Sequence, residues 1–513
     1  MNREALTRRG FLAAGVLGGA ALVACGRSTN PQATGGSPSP GAIAAAEAAR
    51  PHTGRTVTAN LTPGPTDIDL GGTVARTLAY NGQVPGPLIR ANVGDDIAVT
   101  VDNRLDHPTS VHWHGIALRN DMDGASPASP NIAPASGFTY RFSSPHPGTY
   151  WAHPHTGLDT DFGLYIPVIV DDPAEPGRYD AEWIVMLDDW TSGVGTSPEQ
   201  IFTGLQSMGM GQMQMPGMGG MGHMSGTGGM GSMPGVPGVG GVGTSDLLGG
   251  DAGDVSYPYY TLNGRIPSAA TTFTAKPGNR IRIRIINAAA DTAFRVALAG
   301  HRMTVTHTDG FPVRPEDVDA LLVGMGERYD VIVTAGDGVF PLVASAEGKN
   351  AVARALLSTG GGSAPDAALR PPQLTGRVGT VDTFTAAPEV LLPAGSDHTL
   401  QVRLSGMMMR YDWMINGRPY DQTVPLTVRQ GQNATLTFVN DSMMWHPMHL
   451  HGHTFQVLKP DGSAGPRKDT VIVKPMQTVV VRMVADNPGE WMLHCHNAYH
   501  MAAGMMTTLN YAR

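Results

Sequence analysis

Short runs that alternate polar with apolar positions, or string β-branched residues together, recur along most of the chain. Arg55-Thr56-Val57-Thr58-Ala59, Asp96-Ile97-Ala98-Val99-Thr100-Val101 and Arg280-Ile281-Arg282-Ile283-Arg284-Ile285-Ile286 are examples, bounded by Gly, Pro and Asn. A period of two is the strand period, so these segments predict β-strands. A larger pattern occurs three times: Tyr80-Asn81-Gly82 with Gly94-Asp95, Leu262-Asn263-Gly264 with Pro277-Gly278-Asn279, and Ile415-Asn416-Gly417 with Gln430-Gly431-Gln432. In each, an Asn-Gly turn leads within about fifteen residues to a second turn and an apolar strand, which predicts three related β-sandwiches.

The strand pattern is interrupted twice. At the start, Thr7-Arg8-Arg9-Gly10-Phe11-Leu12 and an apolar run through Val23 form a positive region followed by a short apolar one, as in an export signal. The arginine pair fits the twin-arginine (Tat) route, and Leu22-Val23-Ala24-Cys25 fits a lipobox whose cysteine would be lipidated. A plain secretory signal with a chance cysteine is the competing reading. No later apolar run is long enough to span a bilayer. Residues 26–54, poor in large apolar groups, are expected to be a disordered tether.

The second interruption, 206–243, is glycine and methionine, with Met208, Met210, Met213, Met215, Met218, Met221, Met224, Met230 and Met233 around His223. A permissive surface insertion needs only glycine. Thioethers are soft ligands suited to Cu(I), so transient copper binding is the expected use. The domain boundaries that follow are a signal at 1–25, the tether at 26–54, and sandwiches at 55–172, 173–365 and 366–513.

Composition agrees with this picture. A chain of 513 residues suits two to four domains, and 66 Gly and 40 Pro with only 15% charged residues suit a turn-rich β protein. The net charge of -8 leaves no basic stripe for nucleic acid, while small molecules and metal cations stay open as partners. Of two cysteines, Cys25 is assigned to lipid, so Cys495 has no disulfide partner.

Four segments concentrate the chemistry: His112-Trp113-His114, His153-Pro154-His155, His446-Pro447-Met448-His449-Leu450-His451, and His494-Cys495-His496-Asn497-Ala498-Tyr499-His500. A His-x-His pair on a strand sends both imidazoles to one face. His494 and His496 therefore point one way and Cys495 the other, and His446 differs by an odd step from His449 and His451. The natural partition puts Cys495, His446 and His500 in one site and the eight other paired histidines in a second. His301, His307 and His453 stay outside both, as surface or core histidines. Cys plus two His, with Met505 as a weak axial ligand, is a blue-copper set; zinc is the alternative, but its structural sites usually use more cysteines. Eight imidazoles without a thiolate suit several close coppers that dioxygen could bridge.

These residues resemble the multicopper oxidases from about Arg55 to Arg513, with the family's four histidine signatures in order. The resemblance implies an all-β fold of three cupredoxin-like Greek-key β-sandwich domains, with the second as a spacer. It implies four copper ions: type 1 on His446, Cys495, His500 and Met505, type 2 on His112 and His449, and a type 3 pair on His114, His153, His155, His451, His494 and His496. Cys495, His494 and His496 would link donor to acceptor. Asp123 matches an acidic position that delivers protons near type 2 copper, although a turn aspartate before Gly124 fits the sequence too. Many bacterial relatives carry a carboxylate where this chain has Met501.

Within the family the chain resembles actinobacterial lipoprotein copper oxidases of the cuprous-oxidase and laccase-like group. Met444 matches a methionine that binds Cu(I) in cuprous oxidases, and Asp441, Met443 and Met409 are the other candidate substrate residues, with core packing as the competing role. The implied activity is oxidation of Cu(I) to Cu(II) with reduction of dioxygen to water, serving copper detoxification. A laccase-like oxidase of phenols or aryl amines and a non-catalytic copper storage or relay lipoprotein are the alternatives. The expected setting is the periplasmic side of the cell envelope, as a monomer anchored to the membrane through Cys25.

Overall fold

The predicted turns are where the three sandwiches show their common plan. Asn81-Gly82, Asn263-Gly264 and Asn416-Gly417 all have positive φ at both positions, between 50° and 72°, the geometry of a type I′ turn. In each sandwich the opening strand then pairs parallel with a later one: Thr56–Leu61 with Asp96–Asp102, Ala181–Trp190 with Arg280–Asn287, and His398–Ser405 with Asn433–Asn440. The same topology built three times is what the sequence echo reflects.

The structure is a computed structural model and describes residues 39–175, 177–211, 236–240 and 242–512. The expected signal, Cys25 and the side chains of the nine methionines in the Met-rich stretch lie outside those described. Among the described residues, no helix is long and apolar enough to cross a membrane.

The first sandwich has a three-stranded sheet facing a four-stranded one that carries His112–His114 beside Gly148–His153. The second pairs two six-stranded sheets, and the third a six-stranded with a five-stranded sheet. In the five-stranded sheet, His446–Leu450 lies between Thr470–Val473 and Glu490–Cys495. Alternation fixes what each strand buries. In Arg280–Asn287, Ile281, Ile283 and Ile285 enter the apolar core while Arg282 and Arg284 face the other way and are also buried. They are buried because partners neutralise them: Arg282 Nη2 lies 2.6 Å from Asp330 Oδ2 and Arg284 Nε lies 2.7 Å from Glu182 Oε2, while Arg284 Nη1 also donates to Thr149 Oγ1 of the first sandwich at 2.9 Å. One apolar cluster runs unbroken through the second and third sandwiches and includes Cys495, Met444 and Met505.

The tether expected over 26–54 needs correction from Ser39 onward. Pro40–Ala48 is a helix, N-capped by Ser39 Oγ accepting from Ala42 N. Ala-rich sequence has the highest helix propensity, and small residues pack without a large apolar face. Glu47 accepts from Ser143 N at 2.9 Å and Oγ at 3.0 Å, and Arg50 Nη2 donates to Asn487 Oδ1 at 3.0 Å. The segment is thus tied to both the first and third sandwiches. A second helix, Pro198–Gly211, extends into the start of the Met-rich stretch and buries Ile201 and Leu205.

Candidate metal centre

Cys495 ends the strand Glu490–Cys495, and its antiparallel neighbour begins with His446; the register sets Met448 opposite Cys495 and His449 opposite His494. His500 arrives from the short helix Ala498–Ala502, whose cap Asn497 accepts from Tyr499 N and His500 N. Sγ of Cys495 lies 3.6 Å from Nδ1 of both His446 and His500, and those nitrogens are 3.1 Å apart. All three residues are fully buried. Met505 is buried as well, and its carbonyl accepts from Cys495 N at 3.1 Å, which loops it back against the cysteine.

The outer nitrogens of this thiolate group are held by residues that sequence reasoning did not single out. Ser442 Oγ is 2.8 Å from His446 Nε2, and Asp254 Oδ2, from the second sandwich, is 2.9 Å from His500 Nε2. Burial opposes a charge on His500, but the Asp254 carboxylate outweighs it and pushes the imidazole up to about 10. Trp413 lies against the pair, its ring 4.3 Å from His500 and 5.2 Å from His446.

The other eight histidines converge between the first and third sandwiches. Donor atoms of His114, His153 and His496 lie within 4.8 Å of one another, as do those of His155, His451 and His494, and those of His112, His114 and His449. His112 stacks on His451 with centroids 3.6 Å apart, and His114 on His449 at 3.7 Å. Burial first, then the neighbouring imidazoles, holds His114, His153, His155, His451, His494 and His496 well below the ordinary histidine value. They are therefore neutral, as a metal ligand must be.

The nitrogens divide into held and free. Nδ1 of His112 faces Asp123 O at 3.0 Å, that of His153 faces Pro154 O at 2.8 Å, and that of His449 faces Asp469 O at 2.9 Å. Nδ1 of His451 meets Asp123 Oδ2 at 2.8 Å, and that of His494 meets Cys495 O at 2.9 Å. Nε2 of His112, His153 and His449, Nδ1 of His114 and both ring nitrogens of His496 are buried without a hydrogen-bond partner among the described residues. Nε2 of His494 stands 3.1 Å from Nε2 of His451 and 3.3 Å from that of His155. Buried orphaned donors and acceptors are costly, and a set of lone pairs aimed at one space fits metal cations. All-imidazole and thiolate-imidazole sets both suit copper.

The candidate substrate residues are placed apart from this order. Met444 is buried in the core just before His446, whereas Met443 and Met409 are exposed. Asp441 is engaged by Arg403 at 2.6 Å. Asp123, fully buried, touches the imidazole group directly: besides His451, its Oδ1 lies 3.3 Å from His112 Nδ1.

Comparison with known proteins decides the family. Family models described as multicopper oxidase match residues 64–175, 181–362 and 394–513. The chain is 62% identical to Multicopper oxidase MmcO of Mycobacterium tuberculosis, with 99% of this chain and 97% of that protein covered. The chain belongs to the multicopper oxidase family.

As a multicopper oxidase it is an oxidoreductase, and the family implies copper for the two buried groups. More distant relatives include Copper resistance protein A homolog of Pseudomonas syringae pv. tomato, 28% identical over 87% of this chain and 91% of that protein. Laccase-2 of Botryotinia fuckeliana is 27% identical over 89% and 82%. The fold matches the solved laccase of Botrytis aclada with a TM-score of 0.72 at 24% identity, covering 90% of this chain and 89% of that one. The multicopper oxidase of Pseudomonas thermotolerans gives 0.64 at 24%, covering 89% and 99%. These likenesses identify the sandwiches as cupredoxin-like.

Proposed function

We propose that this oxidase converts Cu(I) to Cu(II) and reduces dioxygen to water, four Cu(I), one dioxygen and four protons giving four Cu(II) and two waters. The observation that carries the reading is the junction at Cys495: its thiol belongs to one ligand group while His494 and His496, on either side, belong to the other. His446, Cys495, His500 and Met505 would hold one copper, His112 and His449 a second, and His114, His153, His155, His451, His494 and His496 a close pair. Copper bound there supplies the one-electron redox steps and the site of dioxygen reduction. The chain's own residues keep His114, His153, His155, His451, His494 and His496 neutral, fix which nitrogen faces inward, and through Asp123 place a carboxylate where protons are consumed.

Cu(I) as donor is supported by the nine methionines of the 206–243 stretch, by exposed Met407, Met409 and Met443 in the third sandwich, and by relatives named for copper resistance. The phenol-oxidising reading is favoured by relatives named laccases. Oxygen consumption by the copper-loaded protein, measured with Cu(I) and with a phenolic donor, separates the readings. Faster turnover of Cu(I) is expected. Faster phenol turnover favours the laccase reading, and no consumption with either donor defeats both in favour of copper storage.

Export by the twin-arginine route and lipidation at Cys25, placing the enzyme on the periplasmic side of the envelope, rest on the N-terminal motifs. Replacing Cys25 with Ala should release the enzyme from the membrane fraction.

A further inference from the structure

All three sandwiches meet at one buried ion pair that touches the imidazole group. Asp469, in the third sandwich, receives both arms of the Arg328 guanidinium of the second, Nη1 on Oδ1 and Nη2 on Oδ2, each at 2.7 Å. Arg328 Nε donates to Thr149 O of the first sandwich at 3.0 Å, and its backbone N–H donates to Asp309 Oδ1 at 2.9 Å. The other Asp309 oxygen accepts from Asp469 N at 3.2 Å and Thr470 N at 3.1 Å. Arg328 and Asp469 are both fully buried. A forked guanidinium on a carboxylate holds that carboxylate in one plane, so Asp469 has a single orientation.

That orientation decides the state of one imidazole, and the Asp469 backbone sets that of a second. Asp469 Oδ1 is 3.2 Å from His114 Nε2, with Thr470 Oγ1 at 3.1 Å from the same nitrogen. A carboxylate only accepts, so the proton of neutral His114 sits on Nε2 and the lone pair is on Nδ1, the nitrogen left unpartnered. His112, His153, His449, His451 and His494 have the opposite arrangement, with Nδ1 tethered. His449 owes its arrangement to the same residue, through the Asp469 carbonyl at 2.9 Å. The two rings so set are the stacked pair His114 and His449, at an interplanar angle of 11°.

The surrounding glycines are fitted to this arrangement. Gly115, immediately after His114, has φ +85°, and a Cβ there would overlap Arg328 Nη2 and stand 2.6 Å from Asp469 Oδ2. Gly326 has φ +80°, and a Cβ there would come within 2.8 Å of His114 Cε1 and 3.0 Å of His496 Cδ2. The second sandwich therefore reaches the imidazole group with both a backbone turn and a charged side chain, which a spacer would not need.

We propose that Asp469 is a positioning residue for copper at the imidazole group: its carboxylate, oriented by Arg328, fixes the inward nitrogen of His114, and its backbone carbonyl fixes that of His449. The proposal rests on the copper reading above. An ordinary domain-joining salt bridge would account for the burial but not for the two imidazole contacts.

The test compares wild type with Asp469→Asn and Arg328→Lys after copper loading. The readouts are copper per chain, the blue absorption of the Cys495 site, the near-ultraviolet absorption and paramagnetic resonance signal of the imidazole-bound coppers, and the melting temperature. Asparagine cannot offer acceptors to both guanidinium arms and His114 together, and lysine keeps the charge without the fork. In Asp469→Asn the copper affinity of the imidazole group should fall about 10- to 100-fold, the usual effect of losing a partner of a ligating histidine, with the blue absorption kept. Arg328→Lys should give a smaller loss of the same kind, and decides the matter if Asp469→Asn does not fold. Unchanged imidazole-site signals overturn the proposal. Equal loss at both sites with a lowered melting temperature also overturns it, as a purely structural role. Wild-type protein lacking the imidazole-site copper would overturn the copper reading itself.

Discussion

The carboxylate of Asp254 lies 2.9 Å from Nε2 of His500, although the two residues belong to different sandwiches. Tyr411 Oη donates to the same carboxylate oxygen at 2.7 Å, so the anion is oriented as well as placed. An anion beside a copper ligand stabilises the more positive metal state. Asp254→Asn should therefore raise the reduction potential of the Cys495 site, on the order of 60 mV for each tenfold change in relative affinity for the two copper states. Redox titration of the blue absorption measures it, and an unchanged potential would mean that the Asp254 charge is not felt at the copper.

Asp123 bridges two histidines of the imidazole group, with Oδ2 on His451 Nδ1 and Oδ1 near His112 Nδ1. Asp123→Ala should lower kcat for oxygen consumption by about 10- to 100-fold, through lost ligand orientation and lost proton supply together. Glutamate at 123 should restore part of the rate if proton supply dominates. The blue absorption should remain, because no part of the thiolate group touches Asp123.

The two ligand groups should answer pH differently. His114, His153, His155, His451, His494 and His496 sit well below the ordinary histidine value of about 6.5, so they are already neutral at pH 7 and remain so as pH falls below that value. Copper there has few protons to displace. His500, held at about 10, is charged below that pH in the metal-free protein, so copper at the thiolate group must release its proton. Affinity at that group should weaken about tenfold per pH unit for each proton released. Acidifying a copper-buffered solution from pH 8 to 5.5 should drain the blue absorption before the imidazole-site signals, and the reverse order would contradict the assignment.

What was legible in the chain was local. The His-x-His pairs and the Asn-Gly turns show themselves within a few residues, because strand parity and turn chemistry are short-range rules. The Ala-rich stretch Pro40–Ala48 has few large apolar groups to announce it, and the contacts of Glu47 with Ser143 and of Arg50 with Asn487 depend on residues far away. Asp254, Ser442, Arg328 and Asp469 carry no local signature either. Asp254, Ser442 and Asp469 matter because folding brings each to a histidine's second nitrogen, and Arg328 because it holds Asp469; nothing in the spacing of Lys468-Asp469-Thr470 announces that.

Cys495→Ser gives the most direct test of the junction. Serine is close in size, and the site is fully buried inside a continuous apolar cluster, so the strand Glu490–Cys495 should keep its pairing with His446–Leu450 and Met506–Tyr511. A hydroxyl is neither as soft nor as easily deprotonated as a thiol, so copper held by His446 and His500 alone should bind weakly and lose its blue absorption. His494 and His496 are anchored separately: His494 Nδ1 faces the backbone carbonyl at 495, and His496 N donates to the Pro447 carbonyl. The variant should thus lose one copper per chain, keep the imidazole-site signals, and consume no oxygen with either Cu(I) or a phenol. Copper analysis alongside oxygen-electrode traces reads both halves. Sustained turnover without the thiol would show that electrons reach the imidazole group by a path that bypasses residue 495.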